Sequence, residues 1–284
     1  MHIQLYIPLQ PANYGGAMYD GSVYNCTFKN NSAYLDGGAM YGGAAYNSTF
    51  DSNIANFYDG RIGGNGGAIF GGDAYNCTFK NNIAHRDGGA IDKGNAFNCT
   101  FNANRGCTDG GAIHKGNAFN CTFIRNSAQF GGGIDGGNAY NCTFISNSGY
   151  VWGGAMTHGD AYNCTFKNNE GYDAGAMNGD TAWNCTFIGN RAQNNGGGMN
   201  GGTACNCTFI NNTSFYCSYG GGISCSNACN CTFINNTAIW GDAMYQSNAR
   251  NCTFFCNFKS KVKGMFESSC DDDCQFIDLG NDSS

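Results

Sequence analysis

Residues 91–101 read Ile-Asp-Lys-Gly-Asn-Ala-Phe-Asn-Cys-Thr-Phe, and residues 113–123 repeat this frame as Ile-His-Lys-Gly-Asn-Ala-Phe-Asn-Cys-Thr-Phe. The frame places a Met or Ile ten positions before a Phe, and it occurs eleven times without an insertion or a deletion. Successive frames are 21 to 29 residues apart, with 22 the commonest step. Such a period is typical of one supersecondary unit stacked many times. The phenylalanines that end the frames are Phe28, Phe50, Phe79, Phe101, Phe123, Phe144, Phe166, Phe187, Phe209, Phe233 and Phe254.

The composition of the repeat favours short β-strands over helices. Glycine accounts for 45 of the 284 residues, and the runs between glycines are rich in β-branched and aromatic residues. Coils stacked in register place their strands parallel and about 4.8 Å apart, and parallel crossovers favour one hand. The sequence therefore predicts an all-β fold, a single-stranded right-handed parallel β-helix or solenoid of about 11 coils with about 22 residues per coil.

Each position of the frame has an expected role in this solenoid. We expect the Phe and the Cys two residues before it to point into the core, where the Phe rings stack between coils. The Asn three residues before the Phe suits a bend, because Asn tolerates left-handed backbone and its amide can stack along the rod. The Ala two residues before that Asn is expected inside, and the aromatic residue between them outside.

The frame also divides the chain into three expected regions. Residues 1–13 form a lead-in, residues 14–258 the parallel β-helix repeat domain, and residues 259–284 a Cys-rich tail or cap. The distance from each Phe to the next Met or Ile varies, so the loop of each coil is expected there. The longest such segment spans residues 54–65.

The charge and the hydrophobic pattern of the chain argue against nucleic-acid binding and against a membrane span. Charged residues make up only 12% of the sequence and the formal net charge is -6, so no basic surface for nucleic acid is expected. No apolar run approaches the length of a membrane-spanning helix, so no membrane span is expected in this chain.

Two motifs resemble a known repeat family. Gly-Gly-Ala-Ile, as at residues 88–91, alternates with Phe-x-x-Asn, as at residues 101–104. This pairing resembles the repeat of chlamydial polymorphic outer-membrane proteins, and it is similar to the adhesin-like β-helix proteins of methanogenic archaea. The resemblance covers about residues 14–258 and implies a secreted or surface-displayed protein that adheres to something.

Cysteine is the most abundant residue with reactive chemistry, and the chain has 18 of them. Ten belong to the inward column, where a small apolar side chain needs no partner. Cys205 and Cys229 occupy equivalent positions in neighbouring coils, within disulfide reach, and Cys270 and Cys274 lie in the tail. These four are candidates for disulfides, while no metal or cofactor is expected.

A second candidate site lies one residue after the Met or Ile. Asp92, His114 and Asp135 occupy this position in three successive coils, with Asp87 and Asp109 before the neighbouring Gly pairs. If Asp92 and Asp135 face outward they lie about 10 Å apart, a separation that suits inverting glycoside hydrolysis. A divalent cation held by Asp-His-Asp is a related alternative. A solvated polar patch without chemistry gives the same pattern and is the favoured interpretation, so catalysis is not expected.

The outer aromatic column is the third candidate. Tyr140, Tyr162 and Trp183 follow one another in this column and could form a flat platform for sugar rings. A ladder that stabilises the stacked coils is the favoured alternative.

The sequence thus favours an extracellular or cell-surface adhesin-like protein without catalysis. Its expected partners are glycans or proteins on host or neighbouring cells, and end-to-end association of the rods is a further possibility. Two alternatives remain open: a polysaccharide-degrading lyase or glycoside hydrolase that uses the Asp/His patch, and an inert structural spacer or filament.

Overall fold

The chain forms a parallel β-solenoid. The computed structural model describes residues 12–56, 64–216, 218–257, 265–271 and 273–277. These residues make about eleven turns of some 22 residues, whose short strands form four parallel sheets, three of twelve strands and one of ten. The predicted all-β solenoid is confirmed, while its handedness stays a prediction. No helix that could cross a membrane occurs among the residues described.

The Met/Ile sheet consists of two-residue strands that begin the frame. Their first residue points into the core, as for Met40 and Ile69, which are fully buried. The second residue faces away from the core, since side chains alternate along a strand. The strands are Met18–Tyr19, Met40–Tyr41, Ile69–Phe70, Ile91–Asp92, Ile113–His114, Ile134–Asp135, Met156–Thr157, Met177–Asn178, Met199–Asn200, Ile223–Ser224, Met244–Tyr245 and Met265–Phe266.

The Ala sheet carries the predicted inner Ala and outer aromatic columns. The Ala side chains, such as Ala96, are buried, and both predicted orientations are confirmed. The aromatic rings from Tyr24 to Tyr162 stack with centroids 4.7–5.0 Å apart. The strands are Ser22–Tyr24, Ala44–Tyr46, Asp73–Tyr75, Ala96–Phe97, Ala118–Phe119, Ala139–Tyr140, Ala161–Tyr162, Thr181–Trp183, Thr203–Cys205, Asn227–Cys229, Asn248–Arg250 and Ser269–Cys270.

The Phe sheet holds the largest side chains of the core. Its rings form one continuous stack from Phe28 to Phe276, with neighbouring centroids 4.6–5.1 Å apart and ring planes within 10° of parallel. The strands are Thr27–Lys29, Thr49–Asp51, Thr78–Lys80, Thr100–Asn102, Thr122–Ile124, Thr143–Ile145, Thr165–Lys167, Thr186–Ile188, Thr208–Ile210, Thr232–Ile234, Thr253–Phe255 and Gln275–Ile277.

A fourth sheet, the variable sheet, lies in the segment of variable length that was expected to contain the loop of each coil. It begins two or more residues after the strand of the Phe sheet and differs in length between coils. Of the longest segment, residues 54–65, the part from 57 to 63 lies outside the described residues. The strands are Ala12–Tyr14, Ser32–Asp36, Ile54–Ala55, Ile83–Ala84, Arg105–Gly106, Ser127–Phe130, Ser148–Trp152, Glu170–Asp173, Arg191–Ala192 and Thr213–Ser214.

The predicted Asn bend is present in every coil. All eleven of these residues have left-handed backbone, with φ between 49° and 55°. Their amides also bond along the rod, as from Asn120 to Asn98 and from Asn141 to Asn120, both at 3.2 Å. The prediction of an Asn turn is therefore confirmed, and the strand of the Phe sheet starts only after the Asn-Cys pair.

A second Asn column, the buried Asn ladder, lies three residues after each Phe. The side-chain Nδ2 of one Asn donates to Oδ1 of the Asn in the next coil at 2.8–3.1 Å. Nδ2 also donates to the carbonyl of a Phe in the preceding coil, as from Asn126 to Phe101 at 3.1 Å. The ladder consists of Asn31, Asn53, Asn82, Asn104, Asn126, Asn147, Asn169, Asn190, Asn212, Asn236 and Asn257.

The Gly pair after the variable sheet permits a close turn. Gly88 has a φ of 66°, which favours glycine over residues with a Cβ. A Cβ on Gly89 would overlap the backbone of Gly111 and Arg105. Small residues are therefore required where the chain returns to the Met/Ile sheet.

The tail continues the solenoid beyond the expected boundary at residue 258. Met265–Phe266, Ser269–Cys270 and Gln275–Ile277 add a further strand to three of the sheets. Cys270 and Cys274 form a disulfide with a Cα–Cα distance of 6.2 Å. Both cysteines pack against the end of the core.

The buried Asn ladder gives a direct prediction for stability. Replacement Asn126→Ala removes the partners of the Asn104 backbone N–H, the Asn104 amide and the Phe101 carbonyl, all of them buried. Unsatisfied buried groups cost about 1–3 kcal/mol each, so the free energy of unfolding should fall by about 3 kcal/mol or more. Urea denaturation followed by circular dichroism measures this change.

The matched control is Asn120→Gly in the same coil. It keeps the left-handed backbone and loses only two exposed amide contacts, with Asn98 and Asn141, whose groups water can satisfy, so it should cost less than about 1 kcal/mol. Equal losses for the two variants would contradict the role assigned to the buried Asn ladder.

Candidate functional site

The three candidate residues of the Met/Ile sheet lie in one column. Asp92 pairs with His114, and His114 with Asp135, across neighbouring parallel strands. Asp87 and Asp109 precede the Gly pairs, and the turn at these glycines carries their side chains over the same column. Asp87, Asp92, Asp109, His114 and Asp135 are named the Asp/His cluster here.

The imidazole of His114 is the centre of the cluster. Its Nδ1 lies 2.7 Å from Oδ1 of Asp92, a hydrogen bond, and 4.0 Å from Oδ2 of Asp87. Its Nε2 lies 3.9 Å from Oδ2 of Asp109 and 3.9 Å from Oδ2 of Asp135. Four carboxylates from consecutive coils thus surround one ring.

The edges of the cluster carry cationic and hydroxyl partners. Oδ1 of Asp135 lies 2.8 Å from Nδ1 of His158 and accepts a hydrogen bond from the hydroxyl of Thr157. On the other side, Nε of Arg86 lies 3.4 Å from Oδ2 of Asp87. Hydrogen bonds and an ion pair therefore hold the outer carboxylates of the cluster, Asp135 and Asp87, in place.

The expectation of a solvated outer patch requires a correction. Asp92, His114 and Asp135 are only 1%, 5% and 7% exposed. They do face away from the apolar core, but the residues that precede the Gly pairs cover them. A polysaccharide cannot reach side chains at this depth in the geometry observed.

Burial shifts the protonation equilibria of the cluster. Desolvation raises the pKa of Asp87, and for Asp109 the nearby charges of Asp135 and Asp87 raise the pKa further. Burial of His114 favours the neutral ring, but the hydrogen bond and charge of Asp92 outweigh it and raise the pKa of His114. The carboxylates therefore crowd one another in a site with little water.

The predicted platform of Tyr140, Tyr162 and Trp183 is arranged as a ladder. Tyr140 and Tyr162 stack with centroids 5.0 Å apart and planes 4° from parallel, so each covers a face of the other. Trp183 follows Tyr162 in register and is 44% exposed. The rings before Trp183 thus present edges to the solvent, and sugar rings stack on faces.

A more accessible aromatic surface lies on the variable sheet, and the sequence analysis missed it. Tyr150 is 62% exposed and Tyr172 is 43% exposed. They occupy neighbouring coils in a groove of about 290 Å³ whose other side chains include Ser148, Glu170 and Gln193. This Tyr groove combines aromatic rings with polar groups. Its sequence signal was the presence of aromatic residues outside the repeated frame.

The free cysteines of the described residues differ in environment. Those of the column are buried except for half-buried Cys26, and in most of them the backbone N–H donates to the sulfur of the next cysteine, as from Cys121 to Cys142 at 3.4 Å. Cys205 and Cys229 are register neighbours with free thiols. Cys225 and Cys256 are exposed free thiols.

Comparison with known proteins identifies the repeat. Residues 47–72, 76–92 and 206–226 match the model of the Chlamydia polymorphic membrane protein repeat. The predicted resemblance is confirmed. The matched stretches make up less than half of the chain, and no curated protein matches it.

Two solved structures share features with the solenoid at low similarity. A TibC-catalysed, hyper-glycosylated TibA fragment is 14% identical, with 93% of this chain and 98% of that chain covered and a TM-score of 0.27. QnrB1, a plasmid-mediated fluoroquinolone resistance protein, is 12% identical, with 90% and 92% covered and a TM-score of 0.27. Scores this low carry no argument about function.

The cysteine environments predict a pattern of chemical labelling. Hydrogen bonds with neighbouring thiols and burial raise the pKa of Cys121, so its thiol should stay unmodified by iodoacetamide in the folded protein at neutral pH. Cys225 and Cys256 should react within minutes under the same conditions. Mass spectrometry of peptides labelled before and after denaturation measures both, and rapid labelling of Cys121 in the folded protein would contradict the buried column.

Proposed function

We propose that this chain is an adhesin-like cell-surface protein that binds glycans through the Tyr groove. The match to a repeat of chlamydial membrane proteins supports a place at the cell surface. The observation that carries the binding proposal is the pair Tyr150 and Tyr172, which lie on neighbouring coils and are 62% and 43% exposed.

The chemistry of the Tyr groove suits a carbohydrate. Aromatic faces contact the apolar face of a sugar ring, while hydroxyl, carboxylate and amide groups fix its orientation. Glu170 and Gln193 supply acceptors and donors beside the two rings, and Ser148 adds a hydroxyl. Gly149 and Gly171 pair in register, so the two tyrosines each follow a paired residue on neighbouring coils, at the point where the register of the strands shifts.

The shape of the groove favours binding over turnover. It is a shallow surface feature, and its carboxylate, Glu170, has no second carboxylate among the residues that line it. Glycoside hydrolysis needs a pair of carboxylates around the scissile bond. Among the described residues, several carboxylates gather instead around the buried ring of His114 in the Asp/His cluster. The polysaccharide-degrading alternative therefore has little support from the geometry.

A glycan array probed with the full chain tests this proposal. Wild-type protein should bind a defined set of glycans, and the double replacement Tyr150→Ala and Tyr172→Ala should weaken binding at least about tenfold, or about 1.4 kcal/mol. Each replacement removes an aromatic ring that contacts the sugar. Because both positions are exposed, the core of the solenoid is unchanged. Biolayer interferometry with the best array ligand measures the change.

Tyr24→Ala is the matched control, because Tyr24 is 60% exposed on the Ala sheet. It should bind as the wild type does, and Trp183→Ala tests the aromatic face predicted from the sequence. Absence of any glycan binding by the wild type, or an equal loss in Tyr24→Ala, would reject the Tyr groove and favour a spacer.

A further inference from the structure

The buried ring of His114 has one nitrogen without a hydrogen bond. Its side chain is 6% exposed, and Nδ1 is already bonded to Asp92. Within the described part of the chain, no hydrogen bond reaches Nε2, although the Oδ2 atoms of Asp109 and Asp135 both face it at 3.9 Å. The side chain of Asp135 is itself only 9% exposed. Four carboxylates thus lie around the ring, and Nε2 remains available to a ligand on the side that faces Asp109 and Asp135.

We propose that the Asp/His cluster binds one divalent transition-metal ion. His114 Nε2, Asp109 and Asp87 are the primary ligands, and Asp135 is the fourth. Donor atoms of Asp87, Asp109 and His114 all lie within 4.8 Å of one another. This site is independent of the Tyr groove.

The distances from His114 Nε2 to the carboxylate oxygens of Asp109 and Asp135 leave room for a metal ion between them. Zinc lies about 2.0–2.2 Å from nitrogen and oxygen ligands, so two donors on either side of it are at most about 4.2 Å apart. The observed gaps of 3.9 Å are too long for hydrogen bonds and lie just inside this limit. Donors in a tetrahedral zinc site are about 3.4 Å apart, so binding requires the two carboxylates to move about 0.5 Å closer to Nε2.

The bond between Asp92 and His114 is the arrangement that metal sites use to orient a ligand. A metal-bound His commonly donates its other N–H to a carboxylate, which fixes the tautomer and strengthens the ligand. Here Asp92 accepts from Nδ1 at 2.7 Å, which leaves the Nε2 lone pair directed at Asp109 and Asp135. Asp92 is thus a positioning residue.

The donor set indicates the class of metal. Imidazole with several carboxylates suits zinc or manganese, whereas a site for calcium would consist of oxygen alone. The positive charge would offset the repulsion among the four carboxylates, of which Asp109 is the most exposed. Because Asp87, Asp109 and Asp135 come from consecutive coils, the ion would also link three coils of the rod.

Metal titration of the full chain tests the site. After dialysis against a chelator, isothermal titration with Mn²⁺ should show one ion per chain with a Kd of about 10 μM or tighter, and Tm should rise as Mn²⁺ is added. Mn²⁺ is chosen because the free thiols of this chain compete for zinc but prefer softer metals than manganese. Absence of stoichiometric binding at millimolar Mn²⁺ would overturn the proposal.

Two substitutions locate the ion. Asp109→Asn should weaken Mn²⁺ binding at least about tenfold, since it removes a charged ligand at a position that is 29% exposed and tolerant of an isostere. Asp173→Asn is the matched control, because Asp173 precedes the Gly-containing turn of another coil and its carboxylate accepts hydrogen bonds from the amides of Asn194 and Asn195. It should bind as the wild type does. Equal affinities for the two variants would place the ion elsewhere and reject the site.

Cobalt provides a readout of ligand type. The Co²⁺ complex should show visible d–d bands without the near-ultraviolet charge-transfer band of a thiolate ligand, and Asp109→Asn should lose these bands. A thiolate band at one equivalent would assign the ion to cysteines and overturn the proposal. If Asp109→Asn does not fold, Asp135→Asn is the second variant for both measurements, with the same expected losses.

Discussion

The buried Asn ladder is the interaction on which the rest of the structure depends. A solenoid turn leaves backbone groups at each corner without a partner in its own sheet, and a buried corner has no water to supply one. Each Asn of the ladder accepts from the backbone and the amide of the coil before it and donates to the coil after it. The same amide also holds a Phe carbonyl. One residue per coil therefore satisfies the corner and sets the coil spacing.

The rigid corner leaves the segment that directly follows it free to vary. Phe, Cys, Ala and Met or Ile fill the core in every coil, so changes in length are confined to the variable sheet and the turn that follows it. Both candidate sites arise from this segment. The Tyr groove forms where residues 148–152 and 170–173 lengthen the strand, and the Asp/His cluster forms where Asp87 and Asp109 fold over the Met/Ile sheet.

The features that recur in every coil could be predicted from the sequence, whereas those that depend on contacts between neighbouring segments could not. The Phe, Cys and Ala columns and the left-handed Asn could be predicted because period and residue type decide orientation. The buried Asn ladder was visible as Phe-x-x-Asn, but its role needed the corner geometry. Asp92, His114 and Asp135 were correctly placed in one column, yet their burial follows from the turn of adjacent coils. The rings of the Tyr groove lie outside the frame, so no period marked them.

Amide hydrogen exchange followed by mass spectrometry tests most directly whether the buried Asn ladder holds the coils together. The account predicts that peptides covering residues 99–104, 121–126 and 142–147 exchange slowest and together, since their amides open only when the solenoid unfolds. Peptides covering residues 148–152 should exchange faster. Equal rates for the ladder segments and the variable sheet would contradict the account, because the corner would then add no protection of its own.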